Sequence, residues 1–248
     1  MKPGLRWQEG IADSCVEKNR RFVYVNESPV SFVPCLKEEK ISMRSLIRAL
    51  ANPPNACNAD ETPADYFSNL PVLETESLVL RPMEMHDAKN IYSYASDPEV
   101  SRYVLWEPHR RLSDTRSYIR YVRRLYRRGL PSAWAVVLKK DRSVIGSIGF
   151  VGYSTAHGSA EVGYSFARRH WNQGYATQAL RAVIQSAFSR IGALYRLEAQ
   201  HDVRNPASGK VMEKSGMTRE GVLRGRIYNK GEHVDVVVYS VLRSDLSP

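Results

Sequence analysis

Residues 168–184, RRHWNQGYATQALRAVI, combine two arginines, an Asn-Gln-Gly turn and the start of an amphipathic helix. Apolar residues recur at three- and four-residue steps after Tyr175, which predicts a helix beginning there. The first amides of a helix have no partner inside it, so with the helix dipole they attract an anion. Gly174 permits close approach of the backbone to a ligand. The stretch predicts a phosphate site flanked by Arg168 and Arg169; the alternative is a plain strand-to-helix turn with solvated arginines.

A second helix is predicted to begin directly after a strand, in EAQHDVRNPASGKVMEKSGM. Asn205 is a natural N-cap, Pro206 suits the first helical position and Gly216 marks the end of the helix. The chain therefore places two helix N-termini directly after two strands.

Composition narrows the class of protein. The chain has 248 residues, of which 43% are hydrophobic and 25% charged, so we expect one large globular domain, alone or with an extension. No stretch is apolar enough to span a membrane and the N-terminus lacks the apolar block of a secretory signal, which predicts a cytoplasmic protein. We expect free thiols at Cys15, Cys35 and Cys57, and no metal site, because neither the cysteines nor the histidines show ligand spacing.

Charge divides the chain into two parts. Residues 1–70 hold nine basic and nine acidic residues, so the net charge of +10 belongs entirely to residues 71–248. Turn-forming residues in ANPPNACNADETPAD predict a linker at about 52–65. We therefore expect an N-terminal extension and linker over 1–70, with one helix in EEKISMRSLIRALA, and a domain over 71–248 that folds without the extension.

The domain shows a regular succession of strand and helix patterns. Predicted helices are HDAKNIYSYASD, PEVSRYV, LSDTRSYIRYVRRLYRRG and the two that follow strands; predicted strands are LETESLVLRP, AWAVVLK, SVIGSIGFVGYS, SAEVGYSFA, YRLEAQHDV, VLRGRIYNK and HVDVVVYSVL. A mostly antiparallel sheet crossed by helices is the simplest α+β arrangement of that order.

Three stretches together resemble a known family. LETESLVLRPM, AEVGYSFARRHWNQGYATQAL and RNPASGKVMEKSGMTREGVLRGRIYNKGEHVDVVVYSVL are similar to the GNAT superfamily of N-acetyltransferases, in its RimJ/RimL-like branch. The resemblance covers about 72–243 in order, without a large gap. It implies a GNAT-like mixed, mostly antiparallel central sheet flanked by helices, with acetyl-CoA as acetyl donor and no metal.

The resemblance also implies which residues hold acetyl-CoA. The loop Trp171 to Ala176 would wrap the diphosphate, the preceding strand would pair with the pantetheine arm, and Asn205 would reach the cofactor or serve only as a helix cap. Trp171 stands where the general pattern has Gln or Arg, and Asn172 replaces a common Gly, which Asn tolerates because it accepts left-handed geometry. The predicted cofactor residues are Phe166, Ala167, Arg168, Arg169, Trp171, Asn172, Gln173, Gly174, Tyr175, Ala176, Thr177 and Asn205.

Acetyl transfer to an amine needs a proton acceptor and a donor for the departing thiolate. By resemblance, Glu161 stands at a position that often carries the base; the alternative is a surface or paired strand glutamate. Many relatives use a tyrosine of the second helix as the acid, but that register holds Met212 here. Ser208 matches a serine that RimL-like members place near the sulfur, and is the candidate donor; alternatively it only supports the helix start.

The acceptor is less constrained. Eight arginines lie between residues 110 and 128 with Asp114 as the only acid, so this run could contact ribosomal RNA or an acidic surface, or be a solvated helix face. In the fold that the resemblance implies, this helix also flanks the acceptor side. Its positive charge would disfavour a polycationic acceptor. We expect transfer to the α-amino group of a protein, of the ribosomal-protein type. Open alternatives are a small-molecule amine, antibiotic or metabolite, and a non-catalytic ribosome- or RNA-binding module; the protein could be a monomer or a homodimer.

Overall fold

The computed structural model describes residues 61–246, which form one eight-stranded sheet in the order β1-β2-β3-β4-β5-β6-β8-β7. The strands are β1 (Leu73–Glu74), β2 (Leu78–Pro82), β3 (Ala133–Leu138), β4 (Val144–Ser154), β5 (Ser159–Phe166), β6 (Arg196–Asp202), β7 (Thr218–Asn229) and β8 (Glu232–Leu242). The helices are α1 (Pro63–Ser68), α2 (Ala88–Ala95), α3 (Pro98–Ser101), α4 (Leu112–Arg127), α5 (Tyr175–Arg190) and α6 (Pro206–Lys214). The predicted α+β class is confirmed.

One pair of strands departs from the antiparallel pattern. All other neighbours are antiparallel, whereas β5 and β6 are parallel and pair only from Ser159–Arg196 to Glu161–Glu198. Beyond that register residues 162–166 of β5 and 199–202 of β6 form no ladder with each other. We call this stretch the β5–β6 gap. Backbone groups on the gap side of β5 are therefore open to another partner.

The sheet is covered on both faces, by different helices. The larger core joins α1, α5 and α6 to one face and contains the fully buried Trp134 and Leu180. The smaller core joins α2 and α4 to the other face, around Ile119 and Val144. Side chains alternate along β5, so Val162 and Phe166 enter the first core while Glu161 projects from the second face.

The two predicted helices after strands begin and end as their capping residues indicate. Gly174 has φ of 79° before α5, Asn205 caps α6 with Pro206 at its first position, and Gly216 has φ of 89° after it. The prediction of a single strand in LETESLVLRP is wrong, because residues 73–82 form two strands, β1 and β2, joined by a turn. Thr75 makes this turn: its amide donates to the Leu78 carbonyl, and its hydroxyl accepts from the Leu78 amide.

The predicted boundary between residues 70 and 71 is also wrong. The α1 helix occupies Pro63–Ser68, and its Tyr66 and Phe67 are 0% and 1% exposed in the larger core. Trp134 donates its indole hydrogen to the Pro71 carbonyl, and Arg190 pairs with Glu61 at 2.8 Å. The folded domain thus begins no later than Glu61, and the end of the predicted linker is helical. Residues 1–60, with the three cysteines and the predicted helix at 38–51, lie outside the described residues.

We expect Tyr66→Ala to lower the free energy of unfolding by about 3–5 kcal/mol, because it empties a fully buried aromatic site. Tyr66→Phe is the matched control: it removes only the 3.0 Å hydrogen bond to Ser186 and should cost about 1 kcal/mol. Urea unfolding of the full chain measures both. A Tyr66→Ala protein as stable as the parent would contradict the inclusion of α1 in the core.

Candidate active site

The parallel arrangement of β5 and β6 brings two helix N-termini to the same edge of the sheet. Residues 167–174 lead from the end of β5 into α5, and residues 203–205 lead from the end of β6 into α6. The helices contact each other, and both begin where the β5–β6 gap opens. In α/β structures, ligands bind at such openings outside the carboxyl ends of parallel strands.

The loop before α5 presents a row of free amides. Asn172 and Gly174 are both left-handed, with φ of 58° and 79°, and α5 has no side-chain cap. Within residues 61–246, the backbone N–H groups of residues 172–177 have no protein acceptor. Alternating left-handed residues turn successive amides inward to form an anion-binding concavity, here at the positive end of a helix. This arrangement fits a diphosphate, and a Cβ at Gly174 would meet no atom within 4 Å.

Side chains of the loop hold its shape. The Trp171 indole donates to the Phe166 carbonyl at 2.7 Å, and the Gln173 amide donates to the Arg169 carbonyl at 2.8 Å. Trp171 therefore anchors the loop to the end of β5. Arg168 and Arg169 are exposed, and neither has a carboxylate within 4.0 Å in the described part of the chain. Both guanidinium charges are available to an anion in the loop.

The remaining predicted cofactor residues surround this loop. Phe166 and Ala167 are buried, Tyr175 and Ala176 pack against the larger core, and Thr177 lies in the first turn of α5. Asn205 caps α6, its side-chain oxygen accepting from the Ser208 amide at 3.4 Å. The helix-cap role of Asn205 is therefore observed, while its contact with the cofactor stays a prediction.

A tyrosine that the sequence reasoning missed joins β5 to α6. The Tyr164 hydroxyl lies 2.9 Å from the Ser208 hydroxyl and 2.9 Å from the Ser208 carbonyl oxygen. Burial raises the pKa of Tyr164, so its hydroxyl stays protonated and donates to the Ser208 carbonyl. The signal was present in the alternation of AEVGYSFA, which places Tyr164 on the face of Val162 and Phe166, toward α5 and α6.

Glu161 lies on the opposite face of β5. Its carboxylate accepts a hydrogen bond from the Gln200 side chain at 2.8 Å. Burial raises the pKa of Glu161, and the nearby Glu198 carboxylate acts in the same direction, while the Gln200 bond opposes both. Ser208 is on α6, which packs on the other face of the sheet. The two predicted catalytic residues therefore lie on different faces of β5, and the described residues show no hydrogen bond between them. Gln200 was missed because its place beside Glu161 depends on the parallel register of β5 and β6.

Within residues 61–246, no group of three or more His, Cys, Asp or Glu side chains could hold a metal ion. In the same range no helix is long and apolar enough to cross a membrane.

The sequence profile of the acetyltransferase (GNAT) domain matches residues 77–218, and the chain belongs to this family. N-acetyltransferase p20 of Bacillus licheniformis, whose function is uncharacterised, is 34% identical over 173 residues, which span 70% of this chain and 97% of the relative. The ribosomal-protein-serine acetyltransferase of Escherichia coli is 30% identical over 127 residues, 51% of this chain and 69% of the relative. The protein is therefore an acetyl-CoA-dependent N-acetyltransferase, as the sequence predicted.

Solved structures agree with this fold. A GNAT-family acetyltransferase from Bacillus anthracis gives a TM-score of 0.63 at 29% identity, covering 70% of this chain and 99% of the other. RimL, a ribosomal L7/L12 α-N-protein acetyltransferase solved with coenzyme A, gives 0.63 at 20% identity, covering 69% and 98%. The second likeness shows a shared fold alone.

If the loop before α5 holds the cofactor diphosphate, Gly174→Asp should weaken acetyl-CoA binding at least tenfold, because it adds a negative charge among the free amides. Gly174→Asn is the matched control, since Asn has the same shape, accepts the left-handed conformation and carries no charge. Isothermal calorimetry measures both, with circular dichroism to check folding. Equal affinities for the two folded variants would remove the diphosphate from this loop.

Proposed function

We propose that this enzyme transfers the acetyl group to the α-amino group of a protein N-terminus. The observation that carries the proposal is the half-buried Glu161 carboxylate beside the β5–β6 gap, whose pKa is raised by burial. A raised pKa makes a carboxylate a stronger proton acceptor near neutral pH. A single carboxylate of this kind suits an amine that loses its proton easily.

The reference pKa values separate the two classes of amine. An α-amino group has a pKa near 7.7–8.0, so neutralising it at pH 7 costs about 1.4 kcal/mol, whereas a lysine near 10.4 costs about 4.6 kcal/mol. The site offers one glutamate, Glu161, which accepts a hydrogen bond from the Gln200 amide. A single carboxylate is better matched to the smaller free-energy cost, that of the α-amino group. This comparison favours an N-terminus over a lysine side chain.

The proposed roles follow from the two faces of β5. Acetyl-CoA supplies an activated thioester carbonyl. The amides of residues 172–177 with Arg168 and Arg169 would hold its diphosphate, and the open backbone of β5 would pair with its pantetheine arm. Glu161 would accept the proton that the amine releases as the new carbon–nitrogen bond forms, directly or through a water molecule.

We assign protonation of the departing thiolate to Ser208, which lies on the face of β5 opposite Glu161. The Ser208 hydroxyl would donate a hydrogen bond to the sulfur as the carbon–sulfur bond breaks, and the Tyr164 hydroxyl, which donates to the Ser208 carbonyl and contacts the Ser208 hydroxyl, would hold Ser208 in position. The register of the second helix that holds a tyrosine in many relatives contains the buried Met212 here. Tyr164 would therefore supply from β5 the phenolic hydroxyl that α6 lacks.

Relatives support a protein acceptor of the ribosomal type. One is named a ribosomal-protein-serine acetyltransferase, at 30% identity, and another a putative ribosomal N-acetyltransferase, at 33% identity over 105 residues. Both align with only part of this chain, 51% and 42% respectively. We infer that an unstructured N-terminus led by a small residue such as Ala or Ser is the acceptor, and that a ribosomal protein provides it.

We expect peptides with a free N-terminal Ala or Ser to be acetylated at least tenfold faster than N-blocked peptides containing lysine, because the α-amine is easier to neutralise. Thiol release from acetyl-CoA measures both rates. In this assay Glu161→Gln should lose more activity at about pH 7 than at about pH 9, where the α-amine is already neutral. The pKa of Glu161 is raised, so the parent should lose activity as the pH falls through that value.

Glu198→Gln is the control, since it removes a carboxylate from the same face and leaves Glu161 in place. It should retain most of the activity at pH 7. Faster reaction at lysine, or with a polyamine or aminoglycoside, would overturn the proposed acceptor class. A Glu161→Gln enzyme with the parent's rate at every pH would remove Glu161 from the mechanism.

A further inference from the structure

The solvent face of α4 carries an unusual concentration of positive charge. Residues 110–128 contain eight arginines and one aspartate, a net +7 within a chain of +10. All eight side chains are exposed; they are Arg110, Arg111, Arg116, Arg120, Arg123, Arg124, Arg127 and Arg128. Asp114 does not neutralise them, because it accepts the Arg110 and Arg111 amides at 3.0 and 2.9 Å and so caps the helix.

Five arginines elsewhere in the described domain have acidic partners. Arg81 pairs with Asp87, Arg190 with Glu61, and Arg196 with both Glu198 and Glu220. Arg102 and Arg204 are likewise paired. By contrast, none of the eight arginines of residues 110–128 has a carboxylate oxygen within 4.0 Å among residues 61–246. Other arginines of the described domain also lack a carboxylate, but no other stretch of this length gathers eight of them.

Four of these arginines are aligned along the helix axis. Arg116, Arg120, Arg123 and Arg127 follow one another at steps of four, three and four residues, the spacing that places side chains in one stripe. The stripe is about 16 Å long at the α-helical rise. Like charges at these spacings destabilise a helix. A face that served only for solvation would gain stability from interspersed glutamates, which α4 does not have.

We propose that this arginine stripe, Arg116, Arg120, Arg123 and Arg127, binds the phosphate backbone of RNA. Every basic residue of α4 is an arginine and none is a lysine, and the planar guanidinium group matches phosphate through paired hydrogen bonds. A regular row of unpaired cations fits a regular row of phosphates. Binding of this kind is independent of nucleotide sequence.

The surroundings of the stripe favour RNA over an acidic protein. The core of a protein interface is apolar and poor in charge. On α4, by contrast, only one large apolar side chain is exposed, that of Tyr121, with 39% of its surface accessible. An exposed tyrosine among arginines is instead the arrangement that stacks on an unpaired base. The stripe lies on α4, which packs on the second face of the sheet, whereas α5 packs on the first.

The test is fluorescence anisotropy of the full chain with a labelled oligouridylate of about 20 nucleotides, between about 50 and 200 mM salt. Replacing the four stripe arginines by Gln should weaken binding at least tenfold and reduce the slope of log affinity against log salt by about three. The matched control replaces Arg142, Lys214, Arg219 and Arg224 by Gln, which removes the same charge from other exposed positions. The control should lose less than threefold.

Acetyl-CoA affinity is measured on both variants and should be unchanged. A failure of the RNA-binding proposal can therefore be distinguished from a failure of the proposed acetyl transfer. Equal losses in the stripe variant and the control would reduce the effect to net charge and overturn the site. A stripe variant that binds like the parent would also overturn it. Displacement of the oligonucleotide by polyglutamate as effectively as by unlabelled oligouridylate would assign the stripe to an acidic protein instead.

Discussion

The short parallel pairing of β5 and β6 is the constraint on which the site depends. A parallel neighbour requires a crossover, and α5 supplies it, so the chain must leave the end of β5 through the loop that contains Gly174. The ladder between β5 and β6 ends at Glu161–Glu198. Beyond it the backbone of β5 has one side without a strand partner, at the end of the sheet where α5 and α6 begin. The Tyr164–Ser208 bond then ties β5 to α6 across this opening. Without the parallel pair, neither the free amides nor the catalytic candidates would meet.

Different contacts hold the helices on the two faces of the sheet. On one face α5 packs on the sheet and is joined to residues 61–66 by the Tyr66–Ser186 hydrogen bond and the Arg190–Glu61 ion pair. The start of α5 is fixed to the β1–β2 turn, where the Gln178 side chain accepts from the Thr75 hydroxyl at 2.9 Å. On the other face α2 and α4 pack over β3 and β4.

The sequence predicted the parts of this structure that local chemistry determines. The left-handed Asn172 and Gly174, the Asn205 cap and the start of α5 each follow from the preferences of single residues, and the structure has all of them. The α1 helix was missed because six residues are too few to show a helical period and they follow a run of turn-forming residues. The Glu161–Gln200 contact was missed because it depends on a strand register that local patterns do not encode. The alternation of side chains along β5 could have predicted that Tyr164 faces α6. Its contact with Ser208 could be found only from the tertiary structure.

The central claim is that Ser208 acts on the departing thiolate only while Tyr164 holds it in position across the β5–β6 gap. A double-mutant cycle of Tyr164→Phe and Ser208→Ala, followed by single-turnover acetyl transfer, tests it most directly. We predict that each change slows transfer with little effect on acetyl-CoA affinity, and that the double variant is hardly slower than the slower single variant. Additive losses would show that the two hydroxyls act independently, and full activity of Ser208→Ala would contradict the claim.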